Sequence, residues 1–176
     1  MIEMTDEVGE PTRECIELVV DVQIAQDLDR SRIADALPSD QLLSDWASNA
    51  YRAVCEYGGW PTTNEVTIRL VSGDEIEQLN GDYRGKNKVT NVLSFPFEAP
   101  LGIDVELLGD VVICHDVVMT EAAAENKKPF DHYAHMVTHG VLHLCGYDHQ
   151  CDTSAHEMES LEIRILANNG YPNPYL

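Results

Sequence analysis

The sequence predicts a single α/β domain, with about four strands in a mixed sheet and helices packed against it. Short β-rich segments alternate along the chain with longer segments whose apolar residues recur at helical spacing. The 176 residues are enough to bury the core of one domain. We find no repeat and no long linker, so residues 15–176 are predicted to form one domain behind a disordered, acidic lead-in over residues 1–14.

Four segments have the composition of strands. They are rich in β-branched residues, and apolar and polar side chains alternate most clearly in the second of them. Pro96 is expected to break the third, because proline cannot donate a hydrogen bond to a neighbouring strand. The predicted strands cover residues 16–24, 65–71, 89–95 and 107–114.

Three helices are predicted from apolar spacing and from their first and last residues. The first follows Ser39, a residue suited to an N-cap, and ends at the pair Gly58 and Gly59. An alanine-rich helix is expected over residues 117–125. Pro129, which is favourable in the first turn of a helix, begins a long helix that carries several histidines.

Two further helices are predicted from capping boxes, in which a serine is followed three residues later by a glutamate. The first box, Ser72–Glu75, opens a short helix through Leu79, followed by a loop over residues 81–88. The second box, Ser154–Glu157, opens the last helix, which is expected to end near Asn168.

Three histidines, His139, His143 and His149, have the spacing H-x3-H-x5-H. The first two lie one turn apart on one helical face, and Gly146 is suited to end the helix so that the chain brings back the third. Three neutral imidazoles bind one metal ion and leave the fourth tetrahedral position for water, which is the pattern of a catalytic zinc site. The alternatives are ordinary packing histidines, or a structural metal with a fourth ligand from Cys145, Asp148 or Cys151.

The same frame occurs on the zinc-binding helix of metzincin proteases, so the helix is zincin-like. Those enzymes carry a glutamate directly after the first histidine as the general base. Gly140 stands there in this chain. Glycine cannot accept a proton, so peptide hydrolysis by that route is disfavoured. The remaining histidines, His115, His132, His135 and His156, are not expected to be ligands.

Beyond the spacing, the chain resembles the YbeY family of bacterial endoribonucleases, which are rRNA maturation factors. The resemblance extends over roughly residues 16–175, and its most specific parts are the histidine motif and the segment TNVLSFPF. The matching segments are His139–His149, Leu79–Lys86, Thr90–Phe97, Leu108–Ile113 and Met158–Glu162.

The resemblance implies a metal-dependent, single-strand-specific endoribonuclease that acts in 16S rRNA 3′-end maturation and ribosome quality control. It implies one Zn²⁺ per chain, bound by His139, His143 and His149. It assigns catalytic roles to His139 and to Arg84 of the YRG motif. Asp148 is a candidate for orienting a ligand histidine, although its simpler role is to cap the turn.

The formal net charge of −20 argues against a nucleic-acid binder, because phosphate contacts need basic side chains. The basic residues are locally clustered, however. Arg84, Lys86 and Lys88 fall within five positions, with Arg69 on a nearby predicted strand. We therefore predict RNA contacts at Arg84, Lys86 and Lys88; the alternative is an ordinary solvated loop, with Arg84 in an ion pair. The acidic remainder suits a basic partner such as a ribosomal protein.

No segment is long and apolar enough to cross a membrane, and the acidic N-terminus lacks the features of a signal peptide. The five cysteines are scattered and odd in number, which suits reduced thiols in the cytoplasm. The expected partners are single-stranded rRNA and the small ribosomal subunit with its proteins, and neither DNA nor a membrane. Two other functions remain open: a ribosome-assembly binding factor with a structural metal, and a metallohydrolase of peptides or amides.

Overall fold

The computed structural model describes residues 16–28, 33, 36–57, 61, 63–98 and 106–176. The predicted disordered lead-in over residues 1–14 therefore lies outside the described residues. Within them, no helix is long and apolar enough to cross a lipid bilayer. Cys114, Cys145 and Cys151 are free thiols. Cys55 is disulfide-bonded, so the expectation of reduced cysteines is wrong for this residue.

The described residues form a four-stranded mixed sheet, which confirms the predicted fold class. Its strands are β1 (Val19–Ile24), β2 (Glu65–Val71), β3 (Val92–Pro96) and β4 (Leu107–Cys114). Their order across the sheet is β1-β2-β4-β3. The first three strands in this order are parallel, and β3 pairs antiparallel with β4 at one edge. β1 and β3 each begin three residues later than predicted.

Five helices are described, and they interleave with the strands as predicted. They are α1 (Asp40–Glu56), α2 (Gly73–Arg84), α3 (His115–Ala124), α4 (Pro129–Leu144) and α5 (Asp152–Asn168). Ser39 caps α1 as predicted, since its hydroxyl accepts a hydrogen bond from the Leu42 amide. Pro129 occupies the first turn of α4.

The long helix α4 packs directly on the sheet. A Cβ atom added to Gly140 would lie 2.4 Å from Cγ1 of Val111 on β4, so only glycine fits at this contact. On the edge strand, the Ser94 hydroxyl donates to the Gly140 carbonyl over 3.2 Å. Neighbouring residues of a strand point to opposite faces of the sheet. On the face opposite α4, α2 covers part of the sheet, and a groove remains between α2 and the strands.

Two predicted helix boundaries are wrong, and both lie next to residues of functional interest. Helix α2 continues to Arg84 and ends at Gly85, whose φ of 66° is left-handed. Arg84 is therefore in the last turn of a helix and not in a loop. Helix α5 begins at Asp152, not at Ser154, because the Ser154 hydroxyl accepts a hydrogen bond from the Cys151 amide and so closes the first turn.

Candidate metal centre

Helix α4 and the turn after it bring the three predicted ligands, His139, His143 and His149, into one group. Their ring nitrogens include a set that lies within 4.8 Å of one another. Nε2 of His139 is 3.0 Å from Nε2 of His143. The His149 ring lies with its centroid 5.6 Å from that of His139 and 5.0 Å from that of His143. We call these residues the three-histidine centre.

The turn after α4 determines where His149 lies. Gly146 has φ of 94°, which is a left-handed conformation that other residues rarely adopt. Its amide donates to the His143 carbonyl, and the Tyr147 amide donates to the Leu142 carbonyl. These bonds end the helix and reverse the chain, so the predicted role of Gly146 agrees with the structure.

Two of the rings are oriented by hydrogen bonds through their other nitrogen. Nδ1 of His143 lies 2.9 Å from the Tyr147 carbonyl oxygen, which can only accept. Nδ1 of His139 lies 2.7 Å from Oε1 of Glu162. Both Nδ1 atoms therefore carry the proton, and the Nε2 atoms present lone pairs to each other.

This arrangement fits a bound cation. Two lone pairs held 3.0 Å apart repel each other unless a positive ion lies between them. Burial, followed by the nearby His139, lowers the pKa of His143, which favours the neutral imidazole that a metal requires. Imidazole nitrogens suit zinc, copper, iron and nickel, and three of them leave an open coordination position on a tetrahedral ion.

Glu162 on α5 is a component of the site that sequence analysis missed. Its side chain is fully buried, and its second oxygen accepts a hydrogen bond from the Tyr175 hydroxyl. Nε2 of His135 also lies 3.5 Å from this oxygen. Burial raises the pKa of Glu162, but the nearby His135 and the hydrogen bonds from His139 and Tyr175 lower it more, to about 2. Glu162 is therefore a carboxylate that holds His139 in its ligand orientation.

The sequence did carry a signal for Glu162. Helix α5 buries a stripe of apolar side chains that includes Met158, Leu161 and Ile165. Glu162 lies on the same stripe, where an ionised carboxylate needs buried partners. A carboxylate at such a position indicates that donors from another element meet it.

None of the proposed fourth ligands joins the three-histidine centre. Cys145, Asp148 and Cys151 are all described, and none shares a group of close ligand atoms with it. Burial raises the pKa of Cys145 to about 12, which keeps it a thiol. Asp148 accepts hydrogen bonds from the Gln150 amide and the Ser154 hydroxyl, so it caps the turn. A structural four-ligand site is therefore not formed by these residues.

The position of the metzincin base is closed. Gly140 faces Val111, so a side chain there would point into the sheet and away from the centre. Glu162 cannot replace that base, because it is fully buried and both of its oxygens already have donors. This geometry does not support peptide hydrolysis by the metzincin route.

The other histidines on or near α4 have separate partners. Nε2 of His132 lies 2.8 Å from Glu121, and Nδ1 of His115 lies 2.6 Å from the Tyr133 hydroxyl. Only His135, through Glu162, is close to the three-histidine centre. None of these residues belongs to the three-histidine centre, but His135, His139 and Glu162 form a second group of close ligand atoms beside it.

The predicted RNA-contacting residues lie at the end of α2 and just after it. Arg84, Lys86 and Lys88 are exposed. Among the described residues, none of these side chains forms an ion pair, so the alternative of an ion-paired Arg84 is not seen. Arg69, by contrast, is bonded to Glu75 over 2.8 Å. No hydrogen bond or ion pair joins the three free cations to the three-histidine centre.

Comparison with known proteins shows which family this chain resembles. A family model described as Endoribonuclease YbeY matches residues 30–170. A protein from Alteromonas mediterranea named Endoribonuclease YbeY is 51% identical over 157 residues, which cover 89% of this chain and 96% of that protein. One of the same name from Colwellia psychrerythraea is 48% identical over 159 residues, covering 90% of this chain and 97% of the relative.

The fold is also found among solved structures. The solution structure of a protein from Thermotoga maritima matches with a TM-score of 0.54. It is 24% identical, and the match covers 86% of this chain and 92% of that protein. At this identity the match supports the fold alone.

Proposed function

The chain belongs to the YbeY family of endoribonucleases, and we propose that it is a zinc-dependent enzyme that cuts single-stranded RNA in 16S rRNA 3′-end maturation and ribosome quality control. The observation that carries the proposal is the three-histidine centre, in which two rings are oriented with their lone pairs toward one point. This is the arrangement of a catalytic metal site with a free position, on a chain whose relatives bear the name of an RNA-cleaving enzyme.

Zinc is the metal we propose, because three neutral imidazoles without a thiolate or a fourth protein ligand match its catalytic sites. When bound, zinc supplies Lewis acidity, which polarises a phosphoryl oxygen and lowers the pKa of water. Glu162 and the Tyr147 carbonyl hold the two ring tautomers that leave Nε2 free. This removes the need for the ligands to reorganise on binding.

Arg84 is the residue we propose to bind the scissile region of the RNA. Its guanidinium is exposed and has no ion pair among the described residues, so its five donors are available for phosphate oxygens. A guanidinium placed on a phosphate neutralises charge that develops during cleavage. Lys86 and Lys88 would add contacts to neighbouring phosphates.

The proposed setting is the cytoplasm, with the small ribosomal subunit as partner. The net charge of −20 disfavours broad nucleic-acid binding and favours contact with basic ribosomal proteins. A short basic segment on an acidic body would limit RNA contact to one region. Specificity for one rRNA site would then depend in part on these proteins.

The test is a matched cleavage assay on a single-stranded RNA and its duplex. Wild type, His139→Ala, Arg84→Ala and the control Arg52→Ala, an exposed arginine on α1, are compared with the metal content of each. We expect wild type and Arg52→Ala to cut the single strand, and the other two to lose cleavage while staying folded. Arg84→Ala should keep the wild-type melting temperature, whereas His139→Ala should melt like wild type treated with chelator. Equal cleavage by all four preparations would indicate a contaminating nuclease, and the binding-factor function would then be preferred.

A further inference from the structure

We propose that Tyr83 and Phe97 form an aromatic platform on which bases of the single-stranded RNA stack, so that the RNA is held on both sides of the edge strand β3. This inference rests on the proposed function, because the occupant is the substrate of the same enzyme. The two rings lie on the face of the sheet opposite α4, at the groove between α2 and the strands.

The first argument is the exposure of the two rings. Tyr83 is 71% exposed and Phe97 is 42% exposed, although aromatic side chains are normally turned inward. The Tyr83 ring is nevertheless held, because its centroid lies 5.0 Å from that of Phe95 on β3 at an angle of 59°. An exposed ring that is fixed from one side presents its other surface to a partner.

The second argument is the shape of the surface around the rings. Tyr83, Phe97 and Leu79 line a groove of about 370 Å³ together with residues of all four strands. Its cation, Arg69, is neutralised by Glu75 over 2.8 Å, so the groove has no free positive charge of its own. Such a groove suits flat, largely uncharged groups such as nucleobases better than it suits phosphates.

The third argument is charge complementarity beside the platform. Arg84, Lys86 and Lys88 follow Tyr83 in the chain, are exposed, and have no ion pair among the described residues. On a chain with a net charge of −20, three unneutralised cations next to exposed rings are unusual. Binding of a single strand combines these two features, with cations on the backbone and rings beneath the bases. A duplex gains nothing from the rings, because its bases are already stacked on each other.

The fourth argument connects the platform to the three-histidine centre. Ser94 points toward α4 and contacts Gly140, the neighbour of His139, while Phe95 points to the opposite face and contacts Tyr83. Because β3 is the edge strand, no further strand of the described sheet separates the two sites. A single strand passing around this edge can therefore place a phosphate at the centre and bases on the platform. The platform residues would position RNA, and they take no part in the chemistry.

The experiment measures binding of a fluorescent single-stranded 2′-O-methyl oligoribonucleotide to the zinc-loaded protein by anisotropy, with the RNA checked for integrity on a gel. The variants are Tyr83→Leu, Phe97→Leu, Tyr83→Phe and the control Tyr57→Leu, whose tyrosine is 49% exposed on another part of the surface. We expect Tyr83→Leu and Phe97→Leu each to weaken binding about tenfold, since stacking is lost. Tyr83→Phe, which keeps the ring, and Tyr57→Leu should bind like wild type.

Two further ligands separate stacking from charge. An abasic oligomer of the same length should bind wild type and Tyr83→Leu equally, and poly-glutamate of equal charge should do the same. The proposal is overturned if Tyr83→Leu binds the intact oligomer as tightly as wild type does, if Tyr57→Leu weakens binding equally, or if wild type does not bind the oligomer.

Cleavage of unmodified RNA is measured separately. Cleavage with no effect of Tyr83→Leu rejects the platform alone, whereas weakened binding by Tyr83→Leu without wild-type cleavage rejects the nuclease alone.

Discussion

Glu162 accepts a hydrogen bond over 2.7 Å from Nδ1 of His139, and this bond links the last helix to the three-histidine centre. The carboxylate is fully buried and is also bonded to Tyr175. A buried carboxylate that orients a ligand imidazole makes the ring a better metal ligand and selects its tautomer. The relationship makes α5 part of the site through Glu162.

The variant Glu162→Gln is expected to weaken zinc binding about 10- to 100-fold, because the neutral amide is a poorer acceptor for His139. Zinc affinity is measured by competition with a chromophoric chelator, which does not depend on activity. The matched control is Glu159→Gln, an exposed position one turn earlier on α5. Unchanged zinc affinity in Glu162→Gln would contradict the positioning role.

Zinc is expected to raise the stability of the folded protein without being required for the fold. The core is built from the sheet and its helices, and the three-histidine centre is partly exposed. At a free zinc concentration of 100 times Kd, the free energy of unfolding should rise by about 2.7 kcal/mol. Circular dichroism and thermal melts with and without chelator measure this, and His139→Ala should show no such increase. Loss of helical signal on chelation would instead support a structural metal.

Substitution of Gly140 by alanine is expected to destabilise the protein by about 1–3 kcal/mol, because the added Cβ overlaps a well-packed contact. That Cβ would lie 2.4 Å from Val111. Chemical denaturation measures the change in free energy of unfolding. In the control Gly73→Ala the nearest atom is 3.9 Å away, so little change is expected. The double variant with Val111→Ala should lose less than the sum of the single variants, and simple additivity would argue against direct contact.

His115 is expected to make stability depend on pH below neutrality. Burial lowers its pKa from the ordinary value of 6.5, and Nδ1 lies 2.6 Å from the Tyr133 hydroxyl. As the pH falls, the unfolded chain therefore takes up this proton at a higher pH than the folded protein does. The contribution of neutral His115 to the free energy of unfolding is complete above pH 6.5 and is lost as the pH falls toward the folded pKa.

The measurement for His115 is the free energy of unfolding between pH 7.5 and pH 5, determined by denaturant titration. His115→Gln should show a shallower pH dependence than wild type, because the group that titrates is absent. His156→Gln, at an exposed position in the first turn of α5, is the control and should keep the wild-type slope. A steeper or unchanged slope in His115→Gln would contradict the assignment.

Local sequence patterns were sufficient for the element types and for the histidines that gather into the three-histidine centre. The spacing of His139 and His143, and the glycine at position 146, act within a few residues of one another, so their consequence can be deduced from helix geometry. The same holds for Ser39 as an N-cap and for the four strands. The fold class followed because each element's periodicity was clear.

The tertiary structure alone decided the features that depend on contacts between distant segments. Glu162 is recognisable as part of the site only once α5 lies against α4, and Tyr83 becomes a candidate platform only where α2 meets Phe95. The start of α5 was misplaced because Ser154 is used by the Cys151 amide rather than as a cap. Spacing along the chain determines which side chains share a helical face, whereas packing between elements determines which faces meet.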